Sequence, residues 1–225
     1  MRKGSAMKVI VFGATGMVGA GVLRECLLDA GVEQILTVGR HATGVQNPKL
    51  REIVHTNLLD FRGIKEDLRG YDACFYCLGV SSLGMREAEY RRVTYSMTMA
   101  AAGTLVKLSP GMTFVYVTGA GTDPSGQGRV MWARVKGATE NALLQLPFKG
   151  AYMFRPAAIQ PLHGIRSKTP LYQVFITLLG PLLSLGRRWL PQYVTTTEQL
   201  GKAMIAVARR NGGRGILESV DINKV

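Results

Sequence analysis

The stretch Lys8-Val-Ile-Val-Phe-Gly-Ala-Thr-Gly-Met-Val-Gly-Ala20 constrains this chain more than any other. Val9 to Phe12 are β-branched or aromatic with no polar residue, which suits a strand covered on both faces in the middle of a parallel sheet. Three glycines follow. Gly13 allows a tight turn, Gly16 lets the backbone approach a diphosphate without a Cβ in the way, and Gly19 lets the next helix pack close to the strand. Thr15, Met17 and Val18 complete the loop. The helix starting near Met17 aims its free N–H groups and the positive end of its dipole at bound phosphates. Glycines at this spacing carry weight only after a buried strand and before a helix, and here both are present.

Downstream, Met17 to Ala30 carries a helical stripe of Val18, Val22, Leu23, Cys26 and Leu27, with Gly31 as its stop. Ile35 to Val38 is the second strand. It ends in Gly39-Arg40, about twenty residues beyond the last glycine, where dinucleotide-binding folds place the residue that touches the adenosine ribose. An acidic residue there suits the 2′-hydroxyl of NAD, whereas the Arg40 guanidinium pairs with a 2′-phosphate. NADP (NADPH) is therefore the expected cofactor.

Glu52 to His55 reads as a third strand leading to Asn57-Leu58 and Asp60, with Asn57 able to meet an adenine edge and Asp60 capping a helix over Phe61 to Leu68. Tyr71 to Gly79 holds a fourth buried strand. Arg86 to Leu108 reads as one long helix with Tyr90, Val93, Met97, Ala101 and Leu105 facing the core. Met112 to Thr118 is the fifth strand, followed by a glycine-rich loop over 119–128. Val130 to Leu146 is a helix carrying Trp132 and Lys136 on one face, and Ala151 to Arg155 is a sixth strand. Strand and helix alternate across residues 8 to 160, which argues for a parallel sheet with helices on both sides.

Together, Gly13-x-x-Gly16-x-x-Gly19, Asn57-Leu58, Cys77-Leu-Gly79, Trp132-x-x-x-Lys136 and Phe154-Arg-Pro156 make the chain resemble an atypical short-chain dehydrogenase/reductase, related to NAD-dependent epimerases and dehydratases. The nearest likeness is to the Tat-interactive oxidoreductase-like proteins, over most of residues 8 to 165. The resemblance implies an α/β fold: a Rossmann-type doubly wound parallel sheet with a small, mainly helical C-terminal extension. It also implies cofactor contacts from Leu78, Gly79, Pro156, Ala157 and Ala158. A Tyr-x-x-x-Lys pair with a preceding hydroxyl is the implied catalytic set, its lysine binding the nicotinamide ribose and lowering the tyrosine's pKa. Lys136 is present, Trp132 stands at the tyrosine position, and Thr118, or Gly119 in another register, stands at the hydroxyl position. An indole N–H donates a hydrogen bond but does not titrate near neutral pH. Tyr90 and Tyr95 are substitutes by residue type only, with core roles expected for both.

At 225 residues and 47% hydrophobic the chain can bury a full core, read as a dinucleotide-binding domain over 7–165 and a substrate-side or oligomerisation extension over 166–225. A net charge of +13 favours anionic partners. No Lys/Arg block interleaved with aromatics supports nucleic acid. Three cysteines without framework spacing point to a reducing compartment, taken as the cytoplasm, and the N-terminal stretch before Met7 has no apolar core of a signal peptide. Cys74 and Cys77 face opposite sides of a strand, and His41, His55 and His163 lack metal-ligand spacing. Leu171 to Gly186 is apolar, broken by Gly180-Pro181 and followed by Arg187-Arg188; it is too short to span a membrane and reads as two short helices that close over the substrate side or pack a homodimer, with peripheral membrane contact through Leu171 to Arg188 as the alternative. Thr195 to Glu198 then resembles a capping box for a helix over Glu198 to Arg210, with a last strand over Gly215 to Val220. The expected function is an NADP(H)-dependent oxidoreductase or epimerase-like activity on an unidentified small molecule. The alternatives are an NADP(H)-sensing protein without turnover and, more weakly, a basic membrane or nucleic-acid binder.

Overall fold

The apolar run Met7–Phe12 forms β1, and alternation along it builds both cores at once: Val9 and Val11 face one side of the sheet, Ile10 and Phe12 the other. The computed structural model describes residues 6–165, 192–210 and 212–225. Around β1 stand β2 (Val32–Gly39), β3 (Leu50–Val54), β4 (Ala73–Tyr76), β5 (Thr113–Val117), β6 (Gly150–Arg155) and β9 (Gly213–Glu218), in the order β3-β2-β1-β4-β5-β6-β9 with every neighbour parallel. Short strands β7 (Ala158–Gln160) and β8 (Val194–Thr196) pair separately. The doubly wound parallel sheet is the expected one, and its strand order reverses between β1 and β4, where such sheets open a crevice.

Helices cover both faces. On one lie α1 (Met17–Leu28) and α5 (Thr197–Arg209), packed through Val22, Leu23, Cys26, Leu200 and Met204. The other is covered by α3 (Met97–Leu108) and α4 (Met131–Gln145), through Ala101, Leu105 and Leu143. α1 and α5 meet closely: a Cβ on Gly21 would fall 2.5 Å from the Cβ of Thr197. The Thr196 side chain caps α5 by accepting from the Gln199 N–H at 2.9 Å. A short helix α6 (Ser219–Ile222) follows β9.

Two expected helices take other forms. Phe61 to Leu68 is not one helix but two 3-10 turns, Arg62–Ile64 and Glu66–Leu68, because Gly63 interrupts it and Asp60 spends its carboxylate on the Arg62 backbone and guanidinium. The helix over 86–108 is interrupted: α2 (Glu87–Arg91) passes through a π turn at Arg92–Ser96 into α3. Tyr90 is buried there as expected, while Tyr95 lies partly open under the Arg91 guanidinium, 4.4 Å from its ring centre. The segment Leu171 to Arg188 lies outside the described residues. Among the described residues no helix is long and apolar enough to cross a membrane.

Candidate functional site

At the end of β1, Gly13 turns with φ +79°, and a Cβ there would meet the backbone of Cys77 and Leu78 at 2.8 Å. A Cβ on Gly19 would lie 2.1 Å from the Gly13 carbonyl oxygen. Gly16 closes the turn, its N–H donating to that same carbonyl at 2.9 Å, and its own Cβ would meet only that oxygen, at 3.3 Å. Gly13 and Gly19 are thus demanded by the fold, whereas Gly16 is less crowded and keeps a bare backbone surface. Its position as N-cap leaves α1 without a side-chain cap, and the first turn holds no acidic residue. The positive end of a twelve-residue helix therefore stays available to an anion.

A cavity of about 270 Å³ opens at this point, walled by the carboxyl ends of β1, β2 and β4. Gly13, Thr15, Gly16, Arg40, Leu78 and Gly79 contribute to its lining, with Thr37, His41, Thr43 and Cys77 beside them. Arg40 is exposed on the wall. The loop that carries it is tied down by Glu52, whose Oε2 accepts from the Thr37 hydroxyl and the Thr43 N–H, each at 2.9 Å. Burial alone would raise the Glu52 pKa; these hydrogen bonds outweigh it, so the carboxyl is held below its ordinary range. Sequence reasoning missed Glu52, although register pairs Thr37 with it directly.

Met17 and Val18 form the first turn of α1 and pack partly against the core. Asn57 and Leu58 stand apart from the cavity lining. The Asn57 side chain accepts from the Leu59 N–H at 3.2 Å in a local turn, and Leu58 is buried in the core.

A second cluster forms at the ends of β5 and β6. The N–H of Thr118 donates to the Phe154 carbonyl at 2.8 Å and that of Ala120 to the Pro156 carbonyl at 3.0 Å, so the two strand exits run together. Lys136 on α4 reaches this edge and donates from Nζ to the Thr118 carbonyl at 2.5 Å. Loss of hydration lowers its pKa to about 8, and the negative charge of Glu140 partly counters that. The Trp132 ring lies one turn earlier, its centre 5.8 Å from Nζ. The Thr118 hydroxyl does not face the open edge; it is buried and donates to Glu140 Oε1 at 2.6 Å and to the Phe154 carbonyl at 3.1 Å. Gly119 stands beside the ammonium, since a Cβ there would begin 3.9 Å from Nζ, but it brings no hydroxyl. Ala157 donates its N–H to the Ser219 hydroxyl at 2.9 Å, and Ala158 opens β7.

Glu140 and Arg155 were also missed. Glu140 is completely buried and Arg155 grips it with Nε at 3.0 and 3.2 Å and Nη2 at 2.5 Å, while Nη1 reaches Glu218 at 3.4 Å. The signal was available: Trp132, Lys136 and Glu140 recur every four residues on α4, and a charged third member of a core-facing stripe is unusual.

Among known proteins no family model matches. A protein named fmp52-2, mitochondrial, from Aspergillus oryzae is 23% identical over 201 residues, 88% of this chain and 85% of that one. FMP52-1, mitochondrial, from Scheffersomyces stipitis is 25% identical over 155 residues, 68% of this chain and 67% of its own length. Among solved structures, WbmF from Bordetella bronchiseptica in complex with NAD+ superposes with a TM-score of 0.69 at 16% identity, covering 99% of this chain and 78% of WbmF. A UDP-N-acetylglucosamine 4-epimerase from Methanobrevibacter ruminantium gives 0.68 at 14% identity, over 95% and 77%.

The fold is a Rossmann-type α/β fold. The curated relatives carry the FMP52 name, and the finer likeness to Tat-interactive oxidoreductase-like proteins is not shown by them. One expectation is corrected. The cytoplasmic location is overturned, since those relatives are named mitochondrial; cysteine count speaks to redox state and cannot tell one reducing compartment from another. Elsewhere, Glu25, His163 and Glu198 bring ligand atoms within 4.8 Å of one another, but Arg24 and Lys202 already pair with the two carboxylates.

Proposed function

We propose that this protein binds NADP(H) along the carboxyl edge of its sheet and acts as an atypical short-chain dehydrogenase/reductase, an oxidoreductase or epimerase-like enzyme. The observation that carries the reading is the cradle at Gly13, Gly16 and Gly19: a backbone surface under an uncapped helix end, opening into a cavity with Arg40 on its wall. From Arg40 at the end of β2 to Lys136 beside β5 is three strand spacings, roughly 14 Å, the direction in which a dinucleotide lies across such an edge. The N–H groups of Met17 and Val18 would hold the diphosphate, Arg40 the 2′-phosphate, and Lys136 the nicotinamide ribose. A bound nicotinamide would supply the hydride donor or acceptor. WbmF, on which the fold superposes, was solved with NAD+ and with NADH, so the preference for the phosphorylated form rests on Arg40 alone.

Trp132 favours a second reading on the same fold. Where a titrating phenol would stand there is an indole, which donates a hydrogen bond but exchanges no proton near neutral pH. A protein that binds NADP(H) and signals its presence without turnover needs Arg40 and Lys136 but no acid.

The test is calorimetry and thermal denaturation with NADPH, NADP, NADH and NAD in turn. Binding to the folded state raises apparent stability by mass action, and the phosphorylated pair is expected to raise it more. No binding by any of the four removes the proposal. Binding without oxidation of NADPH across a broad panel of carbonyl compounds selects the second reading.

A further inference from the structure

The Lys136 ammonium and the Glu140 carboxylate are joined through one residue. Lys136 Nζ holds the Thr118 carbonyl at 2.5 Å, and the Thr118 hydroxyl holds Glu140 Oε1 at 2.6 Å. Burying a carboxylate completely is costly, and Arg155 meets that cost in part through a forked pair. A further hydrogen bond comes from the hydroxyl of Thr118, the residue that follows β5 and whose carbonyl accepts from Lys136.

We propose that Glu140 is a positioning residue for Lys136: it anchors Thr118 so that the Thr118 carbonyl holds the ammonium at the carboxyl ends of β5 and β6, and its charge keeps that ammonium protonated. The inference rests on the reading of Lys136 as a cofactor ligand. Among the described residues the nearby charged or titratable groups are few. From β6 comes Arg155, and from the end of β9 Glu218; both meet Lys136 only through Glu140. From α2 comes Glu87, which is engaged by Arg134. The loop over 119–128 brings Asp123, which accepts from Ser125 and Gly128. From β5 comes Tyr116, buried against Thr139 with its hydroxyl pKa raised by burial. Of these groups it is Glu140 whose charge favours the lysine cation. The missing tyrosine sharpens the need. Trp132 offers a ring face to the ammonium at 5.8 Å but no hydrogen-bond acceptor, so the Thr118 carbonyl must orient it.

The experiment follows the Lys136 side-chain nitrogen directly, by NMR titration of 15N-lysine-labelled full-length protein without ligand, with Lys136→Met to assign the signal. Wild type, Glu140→Gln, Glu140→Asp and Thr118→Val are compared. Glu140→Gln keeps a hydrogen-bond acceptor for Thr118 and removes the charge, so the Lys136 midpoint is expected to fall by about one pH unit; Glu140→Asp is expected to restore most of it. NADPH affinity, measured alongside, is expected to weaken at a lower pH in Glu140→Gln than in wild type, by the same displacement. A purely structural ion pair would lower thermal stability and leave the midpoint in place, which overturns the proposal. Should Glu140→Gln fail to fold, Thr118→Val decides it: weaker NADPH binding with a displaced lysine signal supports the proposal, and an unchanged signal ends it. Failure of wild type to bind any dinucleotide is a separate outcome that defeats the cofactor reading, while the lysine titration still decides the effect of Glu140.

Discussion

Gly19 and Gly13 touch backbone to backbone: a methyl group on Gly19 would fall 2.1 Å from the carbonyl oxygen of Gly13. Alanine at 19 must therefore push α1 away from the end of β1. Overpacking of this kind costs about 1–3 kcal/mol. Gly19→Ala is expected to lower the melting temperature and abolish dinucleotide binding. Gly16→Ala, whose Cβ would meet only one oxygen at 3.3 Å, is expected to melt within a few degrees of wild type yet bind weakly. Thermal melts with cofactor titration check both; equal melting losses would mean that Gly16 serves the fold alone.

Arg40 stands exposed on the cavity wall, its loop fixed by Glu52. Hydrogen bonds to a charged partner contribute about 1.5–3 kcal/mol. Arg40→Ala is expected to weaken NADPH at least tenfold and to leave NADH almost unchanged. Unaltered NADPH affinity by calorimetry would remove the phosphate assignment.

Lys136 in the folded protein titrates near 8, below its ordinary value of 10.5, because burial strips its hydration. Between those two values the unfolded chain binds more protons than the folded one, so this residue makes stability rise with pH there. Below about pH 8 both forms are protonated and the full cost of the buried cation is present. Lys136→Met is accordingly expected to be more stable than wild type at pH 7, with the gap closing as pH rises towards 10.5. Denaturant titrations at several pH values measure it, and a constant gap would contradict the assignment.

Arg155→Met would strand the Glu140 carboxylate in the core. Removing one partner of a buried pair costs about 3–5 kcal/mol. The double change Glu140→Leu with Arg155→Met is expected to recover most of that, because the uncompensated charge disappears. Urea unfolding of Arg155→Met, Glu140→Leu and the double variant gives the coupling, and additive losses would show that the pair is not a unit.

Trp132→Tyr places a phenol one helical turn from Lys136 on the same face of α4. NADPH oxidation by a carbonyl panel is expected to exceed that of wild type. No gain, with the fold intact by melting, would mean that the missing acid lies elsewhere.

Local order alone made the first half of the site legible. A buried strand followed by glycines three apart has few other uses, and Gly13 and Arg40 fall on the cavity wall because each follows a strand whose place in a parallel sheet is set by alternation, with Gly16 at the helix start beside them. What lay between strands was not legible. Thr118 presents its backbone to the site and turns its hydroxyl inward to Glu140; Asn57 closes its own turn; Glu52 steadies a loop on the neighbouring strand. Apart from the local turn at Asn57, those choices depend on which partner lies within hydrogen-bond reach once the fold has formed, as for Thr37 with Glu52, 15 positions apart, and Thr118 with Glu140, 22 apart. Periodicity along the chain says which face a side chain takes, and only the packed sheet says what waits there.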